Sequence, residues 1–242
     1  MKHSLIAATK GFFRRRGILI DRYNCGTSAE LRLVRMLDAN RVDLVLDVGA
    51  NEGDYGHRLR SAGYAGSLLS FEPLALAHAN LTRAVVGDWR WEVAPRMALG
   101  PADGVARINV AGNSASSSLL PMLASHAESA PASGYVGHED VPIRRLDGVA
   151  HHLIAGSAAP FLKIDTQGFE REVLEGADAL IPSLKGIQIE LSVVPLYEGA
   201  EPWLAMHELL MAHGFELWGV VPGFFNPDTA RMLQFDGIYF RP

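Results

Sequence analysis

Residues Asp43 to Gly53, Asp-Leu-Val-Leu-Asp-Val-Gly-Ala-Asn-Glu-Gly, constrain this chain more than any other stretch. An apolar run ends at Asp47, two glycines bracket a tight turn, and Asp54 to Ala62 has the spacing of a helix. That is a strand, a turn and a helix. A second apolar run, Ser67 to Phe71, ends at Glu72, about 20 residues beyond the turn, which puts a carboxylate at the tip of a neighbouring parallel strand within reach of a ribose.

The charges in the turn discriminate among nucleotide-like ligands. A dinucleotide fingerprint has Gly-x-Gly-x-x-Gly and holds pyrophosphate over the helix start. Here position 51 is Asn, and Asp47, Glu52 and Asp54 are accompanied by no Lys or Arg. Such a turn repels phosphate. It suits S-adenosylmethionine, whose sulfonium and amino groups are cationic and which has a ribose but no phosphate. Asn also enters the left-handed region more readily than most residues, so Asn51 can replace a middle glycine. The cofactor-binding set expected is Asp47, Gly49, Ala50, Asn51, Gly53, Glu72, Pro73 and Asp165. The competing readings are an ordinary strand-turn-helix connection, a nicotinamide-dependent oxidoreductase on the same sheet, and a non-catalytic binding protein.

The rest of the chain alternates in the same way. Residues 1–42 read as a mainly helical lead-in with Ser28 as an N-cap. After Glu72 come a helix over Leu74 to Val86, a strand over Trp91 to Leu99, and a turn into a strand over Val105 to Val110. Ala111 to Asp140 is rich in Gly, Ser, Ala and Pro and reads as a flap or binding loop. Then follow a strand at Val141 to Arg145, a helix to Ile154, a buried strand ending at Asp165 and a helix from Gly168. A strand over Gly186 to Leu191, a helix over Trp203 to Ala212, and strands over Phe215 to Val221 and Gln234 to Arg241 complete the order. This pattern predicts an α/β fold with a doubly wound, mostly parallel sheet, a domain over 43–242 and a flexible insertion at about 111–140.

With 242 residues, 48% of them hydrophobic, the chain can bury a large core. A net charge of −5 gives no general attraction to nucleic acid or to an anionic membrane. The basic run Lys10 to Arg16 nevertheless admits a weak contact with a membrane surface or a lipid-linked substrate, against the simpler reading of a solvated helix end. A single cysteine, Cys25, rules out an internal disulfide or a thiolate zinc site and points to a reducing, cytoplasmic setting. The apolar stretch Leu5 to Ala8 meets Arg14 to Arg16 before a signal-length core develops, and no uncharged run is long enough to cross a bilayer.

Several separated motifs share one likeness. Val45-Leu-Asp-Val-Gly-Ala-Asn-Glu-Gly53, Phe71-Glu-Pro73, Ala98-Leu-Gly100, Leu146-Asp147, Leu162-Lys-Ile-Asp-Thr-Gln-Gly-Phe-Glu170 and Val173-Leu-Glu-Gly-Ala177 occur in this order. Over about residues 40 to 241 the chain resembles the FkbM-type S-adenosylmethionine-dependent methyltransferases. The resemblance implies a seven-stranded class I methyltransferase fold and O-methylation of a hydroxyl on a sugar, glycolipid or polyketide-type product. Where that family commonly has Val-Glu-Gly-Ala-Glu after Lys-Ile-Asp, this chain has Thr-Gln-Gly-Phe-Glu, which removes a carboxylate at position 167.

Methyl transfer to an alcohol needs the acceptor oxygen held in line and its proton removed. Asp165 is the first candidate base, with Glu190 and His126 as further catalytic candidates. Glu190 ends a neighbouring strand and can share Mg2+ or another divalent cation with Asp165. The plainer roles for Asp165 are an N-cap for the following helix or an ion pair with Lys163, which strand alternation turns to the same face. Adenine is expected against the end of the Trp91 to Gly100 strand.

Overall fold

The computed structural model describes residues 2–242. The side chains of residues 2–6, 8 and 151–153 lie outside that description, and with them much of the Leu5 to Ala8 stretch. In chain order, α1 (Lys2–Arg14) and α2 (Ala29–Ala39) precede β1 (Leu44–Val48), α3 (Asp54–Ser61), β2 (Ser67–Phe71), α4 (Ala75–Ala84) and β3 (Trp91–Val93). Next come β4 (Ala98–Leu99), β5 (Gly104–Ala111), α5 (Ala124–Ser129), β6 (Tyr135–Arg144) and α6 (Leu146–Ile154). The last third holds β7 (Pro160–Ile164), α7 (Glu170–Glu175), β8 (Gly186–Ser192), α8 (Trp203–Ala212), β9 (Glu216–Pro222) and β10 (Gln234–Phe240).

Seven strands form one sheet in the order β3-β2-β1-β7-β8-β10-β9. All pairs are parallel except those of β10, which runs antiparallel to β8 and β9. Strands covered on both faces need apolar residues in both registers, and all five residues of β1 and of β7 are buried. Alternation divides them. Leu44, Leu46 and Val48 pack with α6, α7 and α8, while Val45 packs with α2, α3 and Leu81 of α4. The expected doubly wound fold is therefore present. The Ser28 cap is also present, its side chain accepting a 3.1 Å bond from the Leu31 N–H.

Three expectations need correction. The strand expected over Trp91 to Leu99 is broken: β3 stops at Val93 and β4 joins a second sheet in the order β4-β6-β5. Pro95 lies at the break and offers no N–H to a ladder. The strand expected to begin at Val141 begins at Tyr135, since residues 135–143 pair with β5 in antiparallel register. The helix from Gly168 is short, because Gln167 and Gly168 have positive φ and α7 starts only at Glu170. Between β5 and β6 the chain carries the α5 turns and two bridges, Asn109 with Ser118 and Met122 with Tyr197. No described helix is long and apolar enough to cross a membrane.

Candidate active site

A cleft opens beyond the carboxyl ends of β1, β2 and β7, where sheets of this order bind ligands. It holds about 710 Å3 of space, part of it open to solvent. Gly49 and Asn51 line it from the turn after β1, and Glu72, Pro73 and Leu74 from the end of β2. Met97, Ala98, Leu99 and Ile108 come from the second sheet, and Asp165, Thr166 and Gln167 from the end of β7. Ser114, Ala115, Ser117 and Leu119 reach it from the segment between β5 and β6.

The turn has the backbone its residues favour. Gly49, Asn51 and Gly53 have φ of 77°, 47° and 97°. A Cβ on Gly49 would also overlap the carbonyl oxygen of Asp165, so the close approach of β7 excludes any other residue. Glu72 is 4% exposed and is aimed by its own backbone neighbours. Its Oε2 accepts from the Asn51 N–H and its Oε1 from the Leu74 N–H, both at 2.8 Å. Burial raises its pKa to about 7 against those two bonds, which favour the carboxylate. Each oxygen keeps a lone pair for a donor in the cleft.

Asp47 has a different task from the one expected. It is fully buried and pairs with Lys163, its register partner on β7, at 3.2 Å. Burial raises its pKa, opposed by the attraction of Lys163. Lys163 also bonds to the Gly49 carbonyl at 3.3 Å and pairs with Asp165 at 3.5 Å. Burial disfavours its charge, but Asp47, Asp165 and Asp236 outweigh that and hold its pKa above the ordinary value. The turn is therefore not without a cation: Lys163 arrives from another strand and fastens it from behind. Removing either partner of such a pair costs about 3–5 kcal/mol.

Asp165 stands at the cleft with its side chain 37% exposed. It does not cap α7, and no other side chain does. Glu170, the first residue of that helix, instead braces the loop before it, its Oε1 accepting from the N–H groups of Thr166 and Gly168 at 2.9 and 3.1 Å. Burial raises the Glu170 pKa to about 7. Glu190 lies behind the cleft wall, and its pKa is raised well above the ordinary value by burial and then by Asp165 and Glu170.

The two carboxylates expected to share a metal are joined instead by an amide. Gln167 Nε2 donates to Asp165 Oδ1 at 2.8 Å and to Glu190 Oε2 at 2.9 Å. An amide NH2 is a donor and cannot ligate a cation. Tyr197 fixes this amide orientation by donating to Gln167 Oε1 at 2.7 Å. Glu190 also accepts from Gln234 Nε2 at 2.7 Å. The residues present do not fit a divalent ion between Asp165 and Glu190, and no group of three or more His, Cys, Asp or Glu able to hold a metal occurs among the described residues.

His126 is buried on α5 against Tyr197 and Phe224, with ring centroids at 5.1 and 5.2 Å, and does not line the cleft. Burial lowers its pKa. Ala50 and Gly53 shape the turn without lining the cleft. Of the cofactor residues expected, Gly49, Asn51, Glu72, Pro73 and Asp165 converge there, and Met97 to Leu99 do so where adenine was expected. Gln167, Thr166 and Ser114 were missed. Ser114 Oγ lies 3.3 Å from Asn51 Nδ2, and Ser118 Oγ donates to the Gln167 carbonyl at 2.7 Å, so the segment between β5 and β6 grips both sides of the cleft.

The model of the methyltransferase FkbM domain matches residues 47–217, more than half of the sequence. The chain belongs to the FkbM family of S-adenosylmethionine-dependent methyltransferases. No curated protein matches the sequence significantly. Among solved structures this FkbM protein is similar to Aeropyrum pernix fibrillarin with natively bound S-adenosyl-L-methionine, at 12% identity and a TM-score of 0.45 over 81% of this chain and 66% of that one. It is similar to TehB from Haemophilus influenzae at 10% identity and a TM-score of 0.46, over 87% of this chain and 62% of that one. A TehB-like SAM-dependent methyltransferase from Corynebacterium glutamicum aligns at 12% identity and a TM-score of 0.41, over 100% of this chain and 99% of that one. The chain thus spans less than two thirds of the length of the first two.

The FkbM cleft has the chemistry that S-adenosylmethionine requires. Among the described residues lining it there is no Lys, Arg or His, and its ionisable groups are the carboxylates of Glu72 and Asp165. A cationic, phosphate-free adenosine compound is complementary to that lining.

Proposed function

We propose that this enzyme methylates a hydroxyl oxygen of a sugar, glycolipid or polyketide-type natural product, with Asp165 as the general base. The observation that carries this reading is the half-open position of Asp165. It lines the cleft, whereas Glu190 and His126 do not, and His126 is buried. Glu72 and the Asn51 turn hold the ribose, and Phe71, Met97 and Leu99 supply an apolar bed for adenine. Bound S-adenosylmethionine supplies an electrophilic methyl group whose transfer leaves a neutral thioether. Asp165 receives the acceptor's hydroxyl proton as the new carbon–oxygen bond forms. Gln167 and Lys163 hold its two oxygens in place, so the base is oriented before the acceptor arrives.

Asp165→Asn keeps the shape and removes the basic oxygen. Turnover is expected to fall about a hundredfold or more, with the affinity for S-adenosylmethionine measured by calorimetry little changed. Wild-type turnover in the variant would remove Asp165 from the chemistry. The acceptor class is tested by mass spectrometry of a cell extract incubated with the enzyme and a methyl-labelled donor. Label on nitrogen or carbon rather than on a hydroxyl oxygen would overturn the O-methylation reading.

A further inference from the structure

We propose that residues 10–23 form a docking patch for an anionic lipid surface. The end of α1 and the chain after it leave Phe12, Ile18, Leu19 and Tyr23 at 46%, 48%, 74% and 66% exposure, and the whole of 14–27 is exposed. Three consecutive apolar residues, Ile18 to Ile20, are bared to solvent together with Phe12 and Tyr23, a cluster of the kind that serves a partner. In a chain of net charge −5, this segment carries the cations Lys10, Arg14, Arg15, Arg16 and Arg22 against the single anion Asp21.

The patch is built rather than frayed. Lys10 Nζ pairs with Asp21 at 2.9 Å, and the Ile18 N–H donates to the Phe13 carbonyl at 3.0 Å, so the apolar tripeptide folds back beside the helix end. The Arg16 guanidinium lies 3.7 Å from the centre of the Phe12 ring. Alternating cations and large apolar side chains match a headgroup layer, which offers negative charge at its surface and hydrocarbon just below. A nucleic acid would use the cations but has no hydrocarbon layer for Ile18 and Leu19. Tyr23 shares an open hollow with Glu30 of α2 and with Asp54, His57, Arg58 and Ser61 along α3. Lipid binding itself does not depend on the identity of the methyl acceptor.

The test is co-sedimentation of the full chain with vesicles of equal parts phosphatidylserine and phosphatidylcholine, compared with pure phosphatidylcholine. Binding is expected only to the anionic vesicles and is expected to weaken as salt rises. Replacing Arg14, Arg15 and Arg16 together by Ala is expected to weaken it roughly a hundredfold, about fivefold per charge. Ile18→Ser with Leu19→Ser is expected to abolish it while leaving the circular dichroism spectrum and the affinity for S-adenosylmethionine unchanged, since both side chains are solvent-facing. Equal binding to both vesicle types, no sedimentation of the wild type, undiminished binding by either variant, or capture of an RNA oligonucleotide in preference to the vesicles would overturn the proposal.

Discussion

On the proposed reading, Glu72 should make cofactor affinity depend on pH. Its carboxyl is held between two backbone N–H groups, and burial raises its pKa to about 7. A cationic ligand whose ribose hydroxyls donate to it favours the ionised form, so binding expels the proton. With the free-site value near 7, the ionised fraction grows from about one tenth at about pH 6 to about nine tenths at about pH 8, and affinity should rise about tenfold, or about 1.4 kcal/mol. Titration calorimetry in two buffers of different ionisation enthalpy should also detect release of about half a proton near pH 7. In Glu72→Gln the slope should vanish and affinity should fall by about 2 kcal/mol, because one backbone N–H then faces an amide NH2. Affinity that is flat with pH, that improves toward acid, or that keeps its slope in Glu72→Gln would refute this account of the site.

Gln167→Glu removes the amide donor that bridges Asp165 and Glu190 and sets three carboxyl groups together. Stability should drop by about 3 kcal/mol near pH 8. Part of it should return toward pH 5, because the new carboxyl's pKa is raised in the folded state and a protonated group again donates. Equal urea midpoints for variant and wild type at both pH values would show that the amide bridge has no such role. Gly49→Ala forces a Cβ against the Asp165 carbonyl at a positive φ. The thermal midpoint should fall by an amount equivalent to about 2–4 kcal/mol, and an unchanged midpoint would contradict the close approach of β1 and β7.

Most of the main sheet was legible because its strands are continuous apolar runs closed by glycine or a carboxylate, and the helices between them have a different period. What local pattern cannot show is which strands become neighbours. Asp47 reads as a free acid at a strand end, yet β7, more than a hundred residues later, places Lys163 opposite it. That pairing turned an apparently uncompensated acidic turn into one pinned from beneath. The second sheet was missed for a related reason: residues 135–140, Tyr-Val-Gly-His-Glu-Asp, carry no clear apolar alternation and become a strand through pairing with β5, where Asp140 also meets Arg107. Gln167 drew notice only as a missing carboxylate. Its actual contribution, an amide donor between two acids, depends on Tyr197 and Glu190 from elsewhere in the chain.

Ser114 and Ser118 stand four residues apart on one short crossing, one touching the turn at Asn51 and the other the loop that carries Asp165, at Gln167. With Asn51 toward the donor and Asp165 toward the acceptor, as proposed, this crossing spans both halves of the methyl transfer. Reshaping it for a bulkier acceptor is then expected to loosen the hold on the methyl donor as well.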